Sequence, residues 1–255
     1  MDDLVERDGL FYKKFTDIPF SGEITGLRNG RIKNGKESGL WKIYYPNGQL
    51  SERVEYKDGK QHGLWEYYYE NGQVTMRGNY KDGKPHGLTE TYYENGQLLS
   101  KRNWKDGKLE SLDELFYENG QLQETGNYKD GNPDGLWLTY HGNGQLQEKG
   151  NYKDGNPDGL WLTYHENGQL RTKSNFIDLK PDGLWEYFNG DGSLRKTKSY
   201  KDGKPDGLFE NYRENGQLWY KQNYKDGKKE GLWEYFNEDG SLTRSESYKD
   251  GKLVE

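Results

Sequence analysis

The chain has 255 residues and a mean hydropathy of −1.30, and only 30% of its residues are hydrophobic. It contains no Cys and no Ala but 35 Gly, which excludes disulfides and thiolate chemistry and argues against a helical fold. The net charge of −6, from 37 basic and 43 acidic residues, argues against nucleic acid as a partner. Because 15% of the residues are aromatic, too many for a disordered chain, a folded protein whose rings pack together is predicted.

Residues 1–38 are predicted to be an atypical leading unit that caps the repeats following it. Their turn signals do not share the spacing of the later turns. No apolar stretch approaches the roughly 20 residues of a membrane span, and the first residues lack the basic and apolar regions of a signal peptide. The rings expected to close the first sheet edge are Phe11, Tyr12, Phe15 and Phe20.

From residue 39 onward, a unit of 24 residues recurs nine times without insertion or deletion. Each unit opens with Gly-Leu or Ser-Leu, continues to Asn-Gly or Asp-Gly, and then reaches a second turn that contains Lys-Asp-Gly in most units. Both turn dipeptides tolerate positive φ in a tight hairpin, and the short runs between them suit strands. The sequence therefore predicts an all-β fold, an elongated antiparallel β-meander or solenoid of stacked hairpins, with domains 1–38 and 39–255.

Aromatic columns recur inside the unit. The position after the first-strand Leu is Trp in six units, and two further positions, represented by Tyr68 and Tyr80, are aromatic in all nine. These rings are expected to pack on the rings of neighbouring repeats and to replace the aliphatic core that the chain lacks. Thr89 and Asp113 interrupt the Trp column, so a local kink or a specialised surface is expected there.

The unit Tyr-Lys-Asp-Gly-Lys-Pro-Asp-Gly-Leu-Trp-x-x-Tyr-x-x-Asn-Gly-Gln-Leu resembles the MORN repeat variant (membrane occupation and recognition nexus) over about 39–254. This form is found in tandem in bacterial proteins often labelled YwqK-family antitoxins. The resemblance implies stacked β-hairpins and a role in binding proteins or lipids. Residues 4–15 also resemble the start of exported members, which implies a periplasmic or secreted bacterial protein, while a cytoplasmic location stays open.

The repeat pattern predicts no enzyme and no catalytic, metal or cofactor site, because repetition spreads residue types evenly instead of gathering a unique set. The His residues fall at two positions of the unit, His62 with His86 and His141 with His165. Members of each pair are expected about 9–10 Å apart, too far to share one metal ion. The Asp residues of the second turn are interpreted as turn formers, since an intervening Lys disfavours calcium.

The position directly after the column that contains Tyr68 is more variable, and its rings are the candidates for partner contact. Partly exposed rings are enriched at protein interfaces and carbohydrate-stacking surfaces. The leading hypothesis is a non-enzymatic scaffold that binds a protein partner, with antitoxin-like neutralisation as a special case. The alternative is a carbohydrate or lipid head group bound by the same rings. The candidate contact residues are Tyr45, Tyr69, Tyr93, Tyr117, His141 and His165.

Overall fold

A computed structural model describes residues 3–254, which form strands and turns and contain no helix. The chain divides into two compact units. The first unit comprises Met1–Leu122 with Tyr128–Gly131, and the second comprises Gln123–Asn127 with Asn132–Glu255.

The first unit is built from short strands joined by turns. Its strands are β1 (Leu4–Arg7), β2 (Leu10–Lys13), β3 (Gly22–Ile24), β4 (Arg28–Lys33), β5 (Lys36–Tyr44), β6 (Leu50–Lys57), β7 (Lys60–Tyr68), β8 (Val74–Lys81), β9 (Lys84–Pro85), β10 (Gly87–Tyr92), β11 (Leu98–Lys105) and β12 (Lys108–Phe116). The next strand, β13 (Leu122–Lys129), has residues in both units.

The second unit repeats the same design. Its remaining strands are β14 (Asn132–Tyr140), β15 (Leu146–Lys153), β16 (Asn156–Tyr164), β17 (Leu170–Ile177), β18 (Lys180–Pro181), β19 (Gly183–Phe188), β20 (Leu194–Lys201), β21 (Lys204–Tyr212), β22 (Leu218–Lys225), β23 (Lys228–Lys229), β24 (Gly231–Phe236), β25 (Leu242–Lys249) and β26 (Lys252–Leu253).

Strands that follow one another in the chain pair antiparallel inside each unit. In the first unit β5 pairs with β6 and β6 with β7, while in the second β14 pairs with β15 and β15 with β16. β1 and β2 form a separate hairpin. The predicted all-β meander of antiparallel hairpins is confirmed.

The two turns of the repeat differ in conformation. Between β6 and β7, Lys57 pairs with Lys60, and both residues of the intervening loop have positive φ, +52° at Asp58 and +78° at Gly59. This conformation is the type I′ turn expected from the sequence. The Asn-Gly turn is longer, because Tyr44 pairs with Leu50 across a loop of five residues. In this loop φ is positive at Gly48 but not at Asn47, whose side-chain oxygen accepts a hydrogen bond from the Gln49 backbone N–H.

Both faces of the sheet carry apolar side chains, but their exposure differs. The Trp column is mostly buried, as at Trp41 and Trp161. The first-strand Leu column lies on the other face and is largely exposed, with Leu40 at 40% and Leu232 at 55% of full accessibility. The close packing of the protein therefore lies on the Trp face, where large rings cover one another.

Near the start of the chain, Ile side chains join the aromatic rings in a small buried cluster. Ile24 and Ile32 are buried with Trp41, and Phe11 and Phe20 pack against them. Phe15, one of the rings expected to close the first edge, is fully exposed. The capping role of residues 1–38 stays a prediction.

Candidate functional site

The buried Trp column and the aromatic column at the end of each second strand interlock into one ladder of rings. In the second unit, the Trp161 ring centroid lies 5.1 Å from that of Tyr152 and 6.4 Å from that of Phe176, both edge-on. In the first unit, the Trp65 ring centroid lies 5.4 Å from that of Tyr80, with the two rings tilted at 55° to each other. Edge-to-face pairs at these separations are favourable beyond the area they bury, so the predicted ring packing is found for these two columns.

Glycine makes room for the Trp rings. Gly150, in the middle of β15, lies under the Trp161 indole, and a Cβ atom there would fall within 3.0 Å of three ring atoms. Gly126 has the same relation to Trp137. The absence of a side chain at these positions lets the indole lie flat on the neighbouring strand's backbone, which keeps Trp161 only 7% exposed.

A pair of charged residues interrupts the ladder in the first unit. Asp113 occupies a Trp position and Arg102 a Gly position, and Arg102 Nε donates to Asp113 Oδ1 at 3.2 Å. Asp113 is only 6% exposed, and burial raises its pKa against the lowering effect of Arg102. The interruption of the Trp column is therefore a partly buried ion pair between Arg102 and Asp113. The other interrupting residue, Thr89, is buried and pairs with Arg102 across β10 and β11.

Several Tyr residues of the aromatic column that contains Tyr68 are held by hydrogen bonds to a carboxylate. Tyr68 and Tyr92 each donate a hydroxyl hydrogen bond to the Glu two residues earlier, at 2.9 and 3.0 Å. Burial, followed by the hydrogen bond to Glu210, raises the pKa of Tyr212 to about 12. These phenols therefore stay neutral at physiological pH and remain hydrogen-bond donors.

The candidate contact residues are half-buried, and several reach the next repeat with their polar ends. In the first unit, Tyr69 and Tyr93 donate hydroxyl hydrogen bonds to the backbone carbonyls of Tyr92 and Phe116, both at 2.9 Å, and Tyr45 bonds in the same way. In the second unit, Nε2 of His141 lies 3.1 Å from the Tyr164 carbonyl oxygen. The full set of half-buried candidates is Tyr45, Tyr69, Tyr93, Tyr117, His141 and His165.

Two His residues of the second turn lie near Asp residues of the following repeat. His62 Nδ1 lies 3.7 Å from Asp82 Oδ1, and His86 lies 3.8 Å from Asp106 in the same arrangement. Residues 3–254 hold no group of three or more metal-ligating side chains arranged to bind an ion. The same part of the chain contains no helix with the length and apolarity that a membrane crossing needs.

Trp219 is a residue that the sequence reasoning missed. It lies in none of the aromatic columns and is 48% exposed, unlike Trp161 in the ladder. In the β21–β22 hairpin, Asn211 pairs with Tyr220 and Tyr212 with Leu218, so Trp219 is the extra residue of a β-bulge. The sequence already contained a signal for it, because no other repeat has Trp at the position of Trp219.

Comparison with solved structures gives only a distant likeness. Crystal structures of TcdB2-TccC3, TcdB2-TccC3-Cdc42 and TcdB2-TccC3-TEV are similar at 12, 13 and 12% identity, with TM-scores of 0.16, 0.15 and 0.16. The comparison covers 94% of this chain but 17, 17 and 16% of those chains, so the protein spans about one sixth of their length. A likeness at this level carries no argument about function. No curated protein matches the chain.

A family model for the MORN repeat variant matches most of the chain in nine segments. They are residues 37–58, 61–82, 85–112, 114–130, 133–154, 157–178, 181–202, 205–226 and 229–250. The matched segments follow the hairpin repeats described above, and Asp113 falls between the third segment, which ends at residue 112, and the fourth, which begins at residue 114. The chain therefore belongs to the MORN repeat variant family, whose members are non-enzymatic repeat modules that generally bind proteins or membranes.

Proposed function

We propose that the protein is a non-enzymatic scaffold that binds a protein partner through the half-buried rings at the turn entry of its repeats. In the first unit these rings are Tyr45, Tyr69, Tyr93 and Tyr117, and the corresponding residues of the second unit are His141 and His165. Neutralisation of a bound toxin, as the antitoxin label of similar bacterial proteins implies, would be one form of this activity.

The anchoring of the ring hydroxyls is the observation that supports this proposal best. The Tyr69 and Tyr93 hydroxyls are tied to backbone carbonyls of the next repeat, so the ring planes are fixed before any partner arrives. A fixed ring loses little conformational entropy on binding, and Tyr supplies a large amphipathic contact area for its few rotatable bonds. Rings repeated at one position therefore provide several rigid anchors for a protein surface.

Paired substitutions at two neighbouring repeats test the proposal. Tyr69→Ala with Tyr93→Ala removes both rings, whereas Tyr69→Phe with Tyr93→Phe keeps the rings and removes only the hydroxyls. Proteins captured by immobilised wild type from the source cells would be identified by mass spectrometry and compared among the three baits. We expect one partner to be lost by the Ala pair and captured in a reduced amount by the Phe pair, whose rings remain but are no longer anchored.

Circular dichroism of each variant provides the folding control, because loss of the hydroxyl bonds alone should leave the strand content unchanged. A partner captured equally by the Ala pair would refute the assignment to these rings. Failure to capture any protein, together with binding of the wild type to liposomes or glycans, would favour the head-group alternative.

A further inference from the structure

A surface cleft in the second unit lies where two successive repeats place their bulge residues side by side. Arg195 and Trp219 occupy the same bulge position in neighbouring repeats, and Asn189 and Arg213 occupy the same turn-entry position. The cleft has a volume of about 470 Å³, within the range of small-molecule sites. It is lined by Asn189, Arg195, Tyr212, Arg213, Glu214 and Trp219.

Trp219 offers this cleft an exposed aromatic surface. Its ring is 48% exposed, and its centroid lies 5.2 Å from that of Tyr220, which meets it edge-on. The guanidinium carbon of Arg213 lies 5.5 Å from the Trp219 ring centroid. An indole face is electron-rich and attracts polarised C–H groups or cations. Because Arg213 already lies over one side of the ring, a ligand would stack on the part of the indole that Arg213 leaves exposed.

The charge in the cleft is predominantly positive. Arg213 donates to the Phe236 carbonyl oxygen at 2.8 Å, and within residues 3–254 neither Arg195 nor Arg213 is in an ion pair. Two guanidinium groups against the single carboxylate of Glu214 favour an anionic ligand, and the guanidinium fork matches a carboxylate through two parallel hydrogen bonds.

Glu214 restricts the type of anion. Its carboxylate repels a nearly doubly charged phosphate group more strongly than a singly charged carboxylate, and it accepts hydrogen bonds from hydroxyl groups. The Asn189 amide can donate as well as accept. A ring face for C–H groups, donors for a carboxylate and an acceptor for hydroxyls together describe a sugar acid. We propose that the cleft at Trp219 binds an acidic saccharide, with a uronic acid residue stacked on the indole and its carboxylate held by Arg195 and Arg213.

Direct titration with defined saccharides tests this proposal on the full chain. Trigalacturonate and its uncharged counterpart galactotriose would be titrated by calorimetry and by saturation-transfer NMR, with adenosine monophosphate as a competing aromatic anion. We expect trigalacturonate to bind at least about tenfold more tightly than galactotriose, as one charge-assisted hydrogen bond would provide. This preference should weaken as salt is added.

Three variants locate the site. Trp219→Ala should weaken trigalacturonate binding about tenfold or more, whereas Trp219→Phe should retain most of it because an aromatic face remains. Arg195→Ala should remove the preference for the acidic sugar. Arg171→Ala is the matched control, since Arg171 occupies the same bulge position one repeat before Arg195 and lines a different cleft beside Tyr164.

The outcomes separate this site from the proposed protein-binding rings, which lie at other residues. Undetectable binding of trigalacturonate at millimolar concentration would overturn the proposal. So would binding that is insensitive to Trp219→Ala, an equal effect of Arg171→Ala, or tighter binding of adenosine monophosphate than of the saccharide. Loss of protein-partner capture in the Tyr69 and Tyr93 variants would leave this inference unaffected.

Discussion

The close approach of Trp161 to the β15 backbone predicts that a single added methyl group destabilises the second unit. In Gly150→Ala, the new Cβ atom would fall within 3.0 Å of three atoms of the indole, a separation that real Cβ atoms essentially never show. Either the indole or the strand must therefore move. The change adds only one carbon atom and no charge, so its effect reports packing alone.

The size of the effect follows from how firmly the indole is held. Trp161 lies between the edge-on rings of Tyr152 and Phe176, so a shift of the indole disturbs both contacts. Overpacking of this kind costs about 1–3 kcal/mol, while the reduced freedom of the unfolded chain in Gly→Ala returns about 0.4–1 kcal/mol. We expect a net loss of about 1–2 kcal/mol in the free energy of unfolding.

Urea unfolding, followed by Trp fluorescence and by far-ultraviolet circular dichroism, measures this loss. Gly190→Ala is the matched control, because Gly190 does not have positive φ and a Cβ there meets no atom within 4 Å. Because repeat arrays need not unfold in one step, the transition midpoints of the two variants should be compared for each probe separately.

A double variant distinguishes ring displacement from a general effect of the β15 substitution. Trp161→Leu removes the ring that the methyl group meets, so adding Gly150→Ala to it should cost much less than Gly150→Ala costs in the wild type. Two results would refute the conclusion that Gly150 makes room for the indole. One is an equal free energy of unfolding for Gly150→Ala and Gly190→Ala, and the other is full additivity of the two losses in the double variant.

Two further predictions concern the candidate rings and the ladder interruption. Tyr69→Phe removes the hydrogen bond to the Tyr92 carbonyl and should lower the free energy of urea unfolding by about 0.5–1.5 kcal/mol; no loss would mean that this hydroxyl does not anchor its ring. Burial raises the folded pKa of Asp113 above its ordinary 3.8, so its favourable contribution is present below that value and is lost as pH rises through the folded pKa. The stability of wild type minus that of Asp113→Asn should therefore fall across this window in urea titrations, and a constant difference would contradict the assignment.

The hairpin pattern was predictable from sequence because turn chemistry is local. Asp58 with Gly59 specifies a two-residue type I′ turn without reference to the rest of the chain, and the structure has that turn. The Asn-Gly turn was predicted less well. Its loop is longer because a β-bulge shifts the register at Tyr67 and Tyr68, and such a shift depends on cross-strand pairing rather than on the dipeptide.

Interactions between repeats were harder to infer. The ring of Tyr69 was expected to be partly exposed, and it is half-buried, but its hydroxyl bonds to a carbonyl 23 residues away that comes within reach only after the strands stack. The sequence marked Asp113 as a departure from the Trp column. It did not show that Arg102 departs from the Gly position in a complementary way, because that match depends on which residues of β11 and β12 face each other.

Positions of the repeat differ in how easily they accept a substitution. A departure in the buried ladder leaves a cavity or an unpaired charge, so Asp113 is accommodated together with the charge of Arg102. The bulge position faces solvent and has no such requirement, since it is Arg171, Arg195 and Trp219 in three successive repeats. Substitutions there change the surface chemistry without disturbing the ladder. A repeat protein of this kind can therefore vary its ligand contacts at the bulges while the buried Trp column preserves the sheet.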